Sequence, residues 1–233
     1  MPSNWSKGLT KHTHPSVLKI SETMKRKNLD NFAVWRKTAR LQGLIPSSYP
    51  AFRHNGDLAE LMGVVYGDGN ISKFPRTERL IIASNSSAKS FIERYAGLVE
   101  KTFGKKPTLM KVYNSNCVRI SIYQNQISKR LGIPSGNRSK IKVVLPAWIK
   151  NNPKILKRFL RGLFEAEGSF CIHKPTSTYK LLFSNRNYSL LKLVYDGLIT
   201  LGFHANLSGY KVQISRKAEV HRSMEELQFR KYN

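Results

Sequence analysis

Leu61-Met62-Gly63-Val64-Val65-Tyr66-Gly67-Asp68-Gly69 has a counterpart later in the chain, Leu160-Arg161-Gly162-Leu163-Phe164-Glu165-Ala166-Glu167-Gly168. Each copy carries small residues four apart, Gly63 and Gly67 in the first and Gly162 and Ala166 in the second, and closes on an acid and a glycine. Residues four apart share a helix face, and small ones there let two backbones approach closely. Helices packed along these faces bring Asp68 and Glu167 together at their C-terminal ends. Two carboxylates held close repel unless a cation or proton lies between them, which points to a divalent metal.

The surroundings of each copy repeat as well. The first half, 56–133, reads as a helix over 58–66 capped by Asp57, strands over 71–74 and 80–84, and a helix over 86–103 stopped by Gly104. Strands over 108–113 and 117–123 and a short helix ending at Leu131 complete it. The second half, 154–233, gives the same order: helix 154–165, strands 169–173 and 179–184, helix 188–201, strands 204–208 and 210–215, helix 218–229. Ser84-Asn85-Ser86 answers Ser184-Asn185-Arg186, and Val118-Arg119-Ile120-Ser121 answers Val212-Gln213-Ile214-Ser215. A motif that repeats together with its flanks marks an internal duplication. Between the halves, 134–153 reads as a connector holding a short helix over 145–150, and Pro153 suits the first turn of the next helix. Ahead of both, 1–50 reads as a loose arm and two short helices within 16–42, with Asp30 capping the second and Gly43 ending it. Its cluster Lys25, Arg26, Lys27, Arg36, Lys37 and Arg40 either grips DNA phosphates or forms a solvated helix face.

The 233 residues are 40% hydrophobic, enough to fill a core. No run of about 18 apolar residues is present to span a bilayer, and no basic-then-apolar start suggests a signal peptide, so no membrane is expected. The expected location is intracellular: cytoplasm, nucleoid or an organelle. Cys117 and Cys171 lack the partner spacing of a zinc cluster and read as reduced thiols. The six histidines form no metal-binding pattern, and neither a Gly-rich phosphate loop nor a nucleophile elbow is present. Against 14 Asp+Glu stand 40 Lys+Arg, a net charge of +26. Such an excess attracts a polyanion, and its spread along the whole chain favours nucleic acid over a membrane surface. A ribosomal or nucleoid protein would share that charge but not the acid-tipped helices.

The paired stretch resembles the LAGLIDADG homing endonucleases, matching at Leu61, Gly63, Asp68 and Gly69 and again at Leu160, Gly162, Leu163, Glu167 and Gly168. The resemblance covers 56–233. It implies an α+β fold of two pseudo-symmetric αββαββα halves with curved antiparallel sheets, packed through paired central helices, here with a helical N-terminal extension. It also implies a monomer that makes double-strand cuts with short 3′ overhangs at a long, asymmetric duplex target. The biological role would be spreading the mobile intron or intein that encodes the protein, an intron being favoured because no splicing-domain sequence is visible. Two rivals stand beside this reading: a LAGLIDADG-derived transcription regulator without cleavage, and a splicing maturase whose partner is intron RNA. The regulator predicts loss of the catalytic acids, and both are present.

Cutting a phosphodiester needs an attacking water, stabilised phosphate charge and help for the leaving oxygen, which Mg²⁺ or Mn²⁺ can supply from carboxylate ligands. Asp68 and Glu167 are the expected ligands, supplemented by the carbonyls of Gly67 and Ala166, since helix C-termini leave carbonyls unpaired. The sixth motif positions, Tyr66 and Glu165, read as interface or cap residues, with Glu165 a minor candidate ligand. By resemblance, Asn85, Asn185 and Lys217 occupy places that order water and phosphate, although turn capping is an equal reading of the asparagines. The first-half counterpart of Lys217 is Tyr123 or Gln124, not lysine. Alternation turns Val118, Ile120 and Ile122 inward and leaves Arg119, Ser121 and Tyr123 outward; Val212 and Ile214 inward leave Lys211, Gln213 and Ser215 outward. Lys73, Arg76, Arg79, Lys111, His173, Lys174 and Lys180 add donors on the same elements or their turns. For each of these, phosphate contact is the stronger expectation than base contact.

Overall fold

The computed structural model describes residues 7–30, 32–46, 48–137 and 141–232. Part of the expected N-terminal arm, 1–6, and three connector positions, 138–140, lie outside them. The chain divides into two compact units, Met1–Tyr49 and Pro50–Asn233. The first holds α1 (Pro15–Arg26) and α2 (Ala33–Leu41). The His14 side chain accepts from Ser16 N–H at the start of α1. Asp30 does not cap α2: the cap position is Phe32, and Asp30 accepts from Phe32 N–H and pairs with Arg36. Two residues of register separate a cap from a turn.

The second unit begins with α3 (Gly56–Gly67), followed by β1 (Gly69–Phe74), β2 (Thr77–Asn85), α4 (Lys89–Phe103), β3 (Thr108–Lys111), β4 (Cys117–Gln124) and α5 (Ile127–Leu131). After a one-turn α6 (Ala147–Lys150) come α7 (Pro153–Glu167), β5 (Gly168–His173), β6 (Thr178–Ser184), α8 (Tyr188–Thr200), β7 (Ala205–Ser208), β8 (Lys211–Ile214) and α9 (Lys217–Glu226). The expected order is therefore present twice. Asn55, not Asp57, caps α3, its Oδ1 accepting Leu58 N–H at 2.9 Å. Asp57, within the first turn, pairs instead with Lys101 and Arg158. At α7 the Asn152 side chain caps the start and Pro153 occupies the first turn, where its missing N–H costs nothing.

Each half has a four-stranded antiparallel sheet, in the orders β1-β2-β4-β3 and β5-β6-β8-β7. Register puts Ile71, Leu80 and Ile122 in one row, and Ile82 beside Ile120; all five are buried. In the second sheet Leu181, Phe183, Val212 and Ile214 fill the equivalent face. Side-chain alternation along a strand thus gives each sheet one core face and one open face. Gly104, left-handed at φ 64°, stops α4 as the sequence suggests.

α3 and α7 pack backbone against backbone. A methyl group on Gly63 would lie 2.2 Å from the Phe159 carbonyl oxygen, and one on Gly162 would lie 2.1 Å from that of Glu60. No side chain larger than hydrogen fits at either place. Nearer the helix starts, the completely buried Glu60 carboxylate receives Arg94 through two hydrogen bonds, at 2.6 and 2.9 Å, and Arg158 at 2.5 Å. Arg161 stands 3.5 Å away. Glu60 lies on α3 and Arg158 and Arg161 on α7, so the buried charge ties the two halves together as well as satisfying itself.

Candidate active site

At the other end of the helix pair the two acids meet. Asp68 is the C-cap residue of α3, and Glu167 closes α7. A methyl group on Gly67 would stand 2.4 Å from Ala166 Cβ and 3.2 Å from Glu167 Cγ, so the fourth-residue spacing keeps the helix ends in contact, here through the small Ala166 side chain. The Asp68 pKa is pushed up to about 6, first by desolvation where the helix ends crowd it and then by the Glu167 charge. Desolvation also raises Glu167, against a hydrogen bond from Asn185 Nδ2 to its Oε1 at 3.3 Å. Both shifts mark a place where negative charge is costly and a cation would be welcome.

The donor set fits a hard divalent cation. Among the described residues no group of three or more His, Cys, Asp or Glu side chains converges, so two carboxylates are all the protein supplies there. Mg²⁺ is characteristically held by one or two carboxylates, with waters and substrate phosphate completing the shell. The carbonyls of Gly67 and Ala166 lie in the last helical turns, where carbonyls lack intrahelical partners.

Each acid opens onto its own cavity of about 450 Å³. Ser84 and Asn85 line the one beside Asp68, and Ser184 and Asn185 the one beside Glu167. Both asparagines make turns as well: Asn85 Oδ1 accepts from Ser87 N–H at 3.0 Å, and Asn185 Oδ1 from Asn187 N–H at 2.8 Å. The two sequence readings of these asparagines are thus compatible, since a turn fixes the side chain that faces the cavity.

Lys217 is placed elsewhere. Its Nζ lies 4.8 Å from the Tyr179 ring centroid. Tyr179 pairs with Ile172, whereas Gly168, next to Glu167, pairs with Phe183. Four strand residues separate these places, on the order of 13 Å. The physical reason is direction: β8 begins at the Glu167 end and runs away from it, so a residue following β8 arrives at the far end of the sheet. The basic residues lining the Glu167 cavity are Arg186 and Lys211. The repeated Ser-Asn signal extended one residue would have pointed to Arg186.

On the open face of the first sheet, Arg79 and Tyr123 are register partners, with Arg79 Nη1 donating to the Tyr123 hydroxyl at 3.4 Å. Arg119 lies on the same face. Ser121 shares it but is buried, its hydroxyl donating to the Thr108 carbonyl at 3.3 Å, so it is spent within the sheet. Lys73 and Lys111 fall on the core-side parity and emerge at the sheet margins, exposed, and Arg76 sits in the β1–β2 turn. In the second sheet Lys180, Gln213 and Lys211 share the open face; His173 ends β5, Lys174 begins a short 3-10 turn, and Ser215 follows β8. Glu165, the minor candidate, is buried at the wall of the Asp68 cavity with its carboxylate already engaged: it accepts from Arg230 N–H at 2.6 Å and from the Tyr232 hydroxyl.

No protein-family profile matches the chain. Among curated proteins it is 35% identical over 97 residues to the A-type gyrase polypeptide of Mycobacterium gordonae, a DNA gyrase component, covering 39% of this chain and 17% of that protein. It is 27% identical over 150 residues to tRNA-splicing ligase RtcB of Pyrococcus abyssi, 56% of this chain and 15% of that one. With the replication factor C small subunit of Methanocaldococcus jannaschii it shares 31% over 127 residues, 49% of this chain and 7% of that one. The chain thus spans less than a fifth of the length of these relatives. Among solved structures it resembles the homing endonuclease I-DmoI in complex with DNA and Mn, with TM-score 0.50 and 17% identity over 75% of this chain and 97% of that one. It also resembles full-length WhiA from Thermatoga maritima, with TM-score 0.55 and 16% identity over 79% and 59%.

Proposed function

We propose that this chain, whose fold is of the LAGLIDADG type, is a site-specific, metal-dependent DNA endonuclease that cuts both strands of a long duplex target. The observation that carries the reading is the meeting of Asp68 and Glu167 at the ends of two helices in backbone contact, each acid beside its own asparagine-lined cavity. A bound Mg²⁺ or Mn²⁺ supplies Lewis-acid stabilisation of the phosphate and lowers the pKa of water.

The protein's own groups do the rest. Asp68 and Glu167 hold the cation, and Asn185 fixes the Glu167 carboxylate. Asn85 and Asn185 present amides to the waters beside each scissile phosphate. In each cut the water oxygen bonds to phosphorus while the P–O3′ bond breaks; the water's proton passes to solvent and O3′ is protonated from solvent, leaving a 5′-phosphate and a 3′-hydroxyl. The open sheet faces, carrying Arg79, Arg119, Tyr123, Lys180, Lys211 and Gln213, enter the major groove, which admits β-ribbons. The protein acts as a monomer, with residues 1–50 as a basic extension, 56–133 and 154–233 as the two halves and 134–153 as their connector.

A gyrase, an RNA ligase and a replication factor have unrelated names, yet each matches this chain over a small part of its length. A stretch shared by otherwise unrelated proteins behaves as an inserted module, which supports a mobile-element role. This pattern favours kinship with inserts inside protein genes, so both intron and intein origins stand.

The test is cleavage of a complex duplex library in Mg²⁺, with ends sequenced, beside a folded Asp68→Asn/Glu167→Gln variant. Discrete cuts at one recurring long sequence, absent in the variant, are expected. If neither protein cuts a library confirmed to contain sites that both bind, the acids are structural and a DNA-binding regulator is the better reading.

A further inference from the structure

The two cavities are built alike but are charged by different means. Beside Glu167 the second half supplies its own Arg186 and Lys211. In the first half Ser86 answers Arg186, and neither Cys117 nor Val118 at the start of β4 carries a charge. The cavity beside Asp68 is lined by two basic residues, Lys89 at the start of α4 and Arg230. Arg230 comes from the opposite half.

Its placement is built. After α9 the chain turns through Gln228 and Arg230, both left-handed at φ 53° and 54°, a conformation that residues with side chains rarely adopt. Three hydrogen bonds then fasten this segment to α7: Glu165 accepts from Arg230 N–H and from the Tyr232 hydroxyl, and Arg161 Nη2 donates to the Lys231 carbonyl. The guanidinium rests 4.8 Å from the Phe229 ring centroid and donates to the Gly168 carbonyl at 3.4 Å, next to Glu167. Among the described residues no carboxylate pairs with it within salt-bridge distance, and it is exposed. An exposed guanidinium that forms no ion pair among the described residues, on an anchored backbone at the rim of an acid-bearing cavity, is suited to a phosphate, which takes bidentate donors.

We infer that Arg230 is the phosphate-binding cation of the Asp68 cavity, delivered across the pseudo-symmetry by the Glu165 anchor, and that it serves the cut in one strand selectively. Glu165 is then a positioning residue. This rests on the nuclease reading for the chemistry but not for the phosphate contact, so two measurements separate them.

In the full chain, Arg230→Gln, Arg230→Lys, Glu165→Gln and Lys89→Gln are compared with wild type after thermal melting has established which are folded. In EDTA, the salt dependence of binding to an arbitrary duplex of about 40 base pairs is expected to lose about one unit of slope in Arg230→Gln and to be kept in Arg230→Lys. With Mg²⁺ and the site recovered from the library, Arg230→Gln is expected to slow one strand about tenfold or more relative to the other, so that nicked duplex accumulates. Glu165→Gln slows the same strand by less. An unchanged salt slope, equal slowing of both strands, or a strand bias that follows Lys89→Gln and not Arg230→Gln overturns the assignment. If wild type cuts nothing, the nuclease reading fails, and the EDTA slope still decides whether Arg230 meets phosphate.

Discussion

Asp68 illustrates how one side chain can be kept at a cost to stability. Its pKa rises from an ordinary 3.8 to about 6 on folding, so the folded protein binds more protons than the unfolded chain between about pH 4 and 6. Metal-free stability therefore falls as pH rises through that window and stays reduced above it. Asp68→Asn is expected to melt higher than wild type at pH 8 in EDTA, and the difference should vanish near pH 3. Asp68 is exposed and its field is screened, so the gain is about 1 kcal/mol or less, at most about 2–4 °C. An unchanged difference across pH would show that folding does not raise the Asp68 pKa. At the opposite end of the helix pair, the buried Glu60 carboxylate is surrounded by arginines. Glu60→Ala leaves Arg94, Arg158 and Arg161 without their common partner, and urea unfolding should show a loss of about 3–5 kcal/mol.

At the scale of elements, the α3–α7 contact makes a sharp prediction. Gly63→Ala and Gly162→Ala each push a methyl into a carbonyl of the facing helix, and overpacking of this kind costs about 1–3 kcal/mol or more. Gly97, exposed on α4 with nothing near its added Cβ, is the control: Gly97→Ala should stabilise by about 0.5–1 kcal/mol. Chemical denaturation of the three variants distinguishes a backbone contact from a general dislike of substitution. That contact was legible in the sequence because spacing four apart is a local property of helices. So were the duplicated element order and the convergence of the two acids. Lys217 was misplaced because strand direction, not distance along the chain, decides which sheet end a residue reaches. The Glu60 cluster and the Glu165 anchor were not legible, because each joins residues that only the assembled fold brings together, such as Glu165 and Tyr232. Nothing local distinguishes a carboxylate that will find its partner in another element from one left in solvent.

For the whole molecule, the division after Tyr49 has a consequence for binding. Residues 1–50 hold nine Lys+Arg and two acids, a quarter of the net charge. A fragment over 50–233 retains both sheets and the helix pair. It is expected to unfold cooperatively, to keep its acids paired, and to bind duplex DNA with a shallower salt dependence than the full chain. An equal slope would mean that the basic extension leaves the phosphates alone and serves another purpose. Calorimetry and a salt titration of the two proteins suffice.

The glycine contact between α3 and α7 also bears on how such a protein could change over generations. Because main chain touches main chain, the gap between the two acids is a ruler made of backbone, indifferent to the side chains around it. The open sheet faces have no such constraint. Under the nuclease reading, substitutions at Arg79, Arg119, Lys180 or Gln213 can redirect the protein to a new sequence while the offset between its two cuts stays constant. Target and cut geometry are then inherited separately, and a lineage can search for new sites without relearning how to break them.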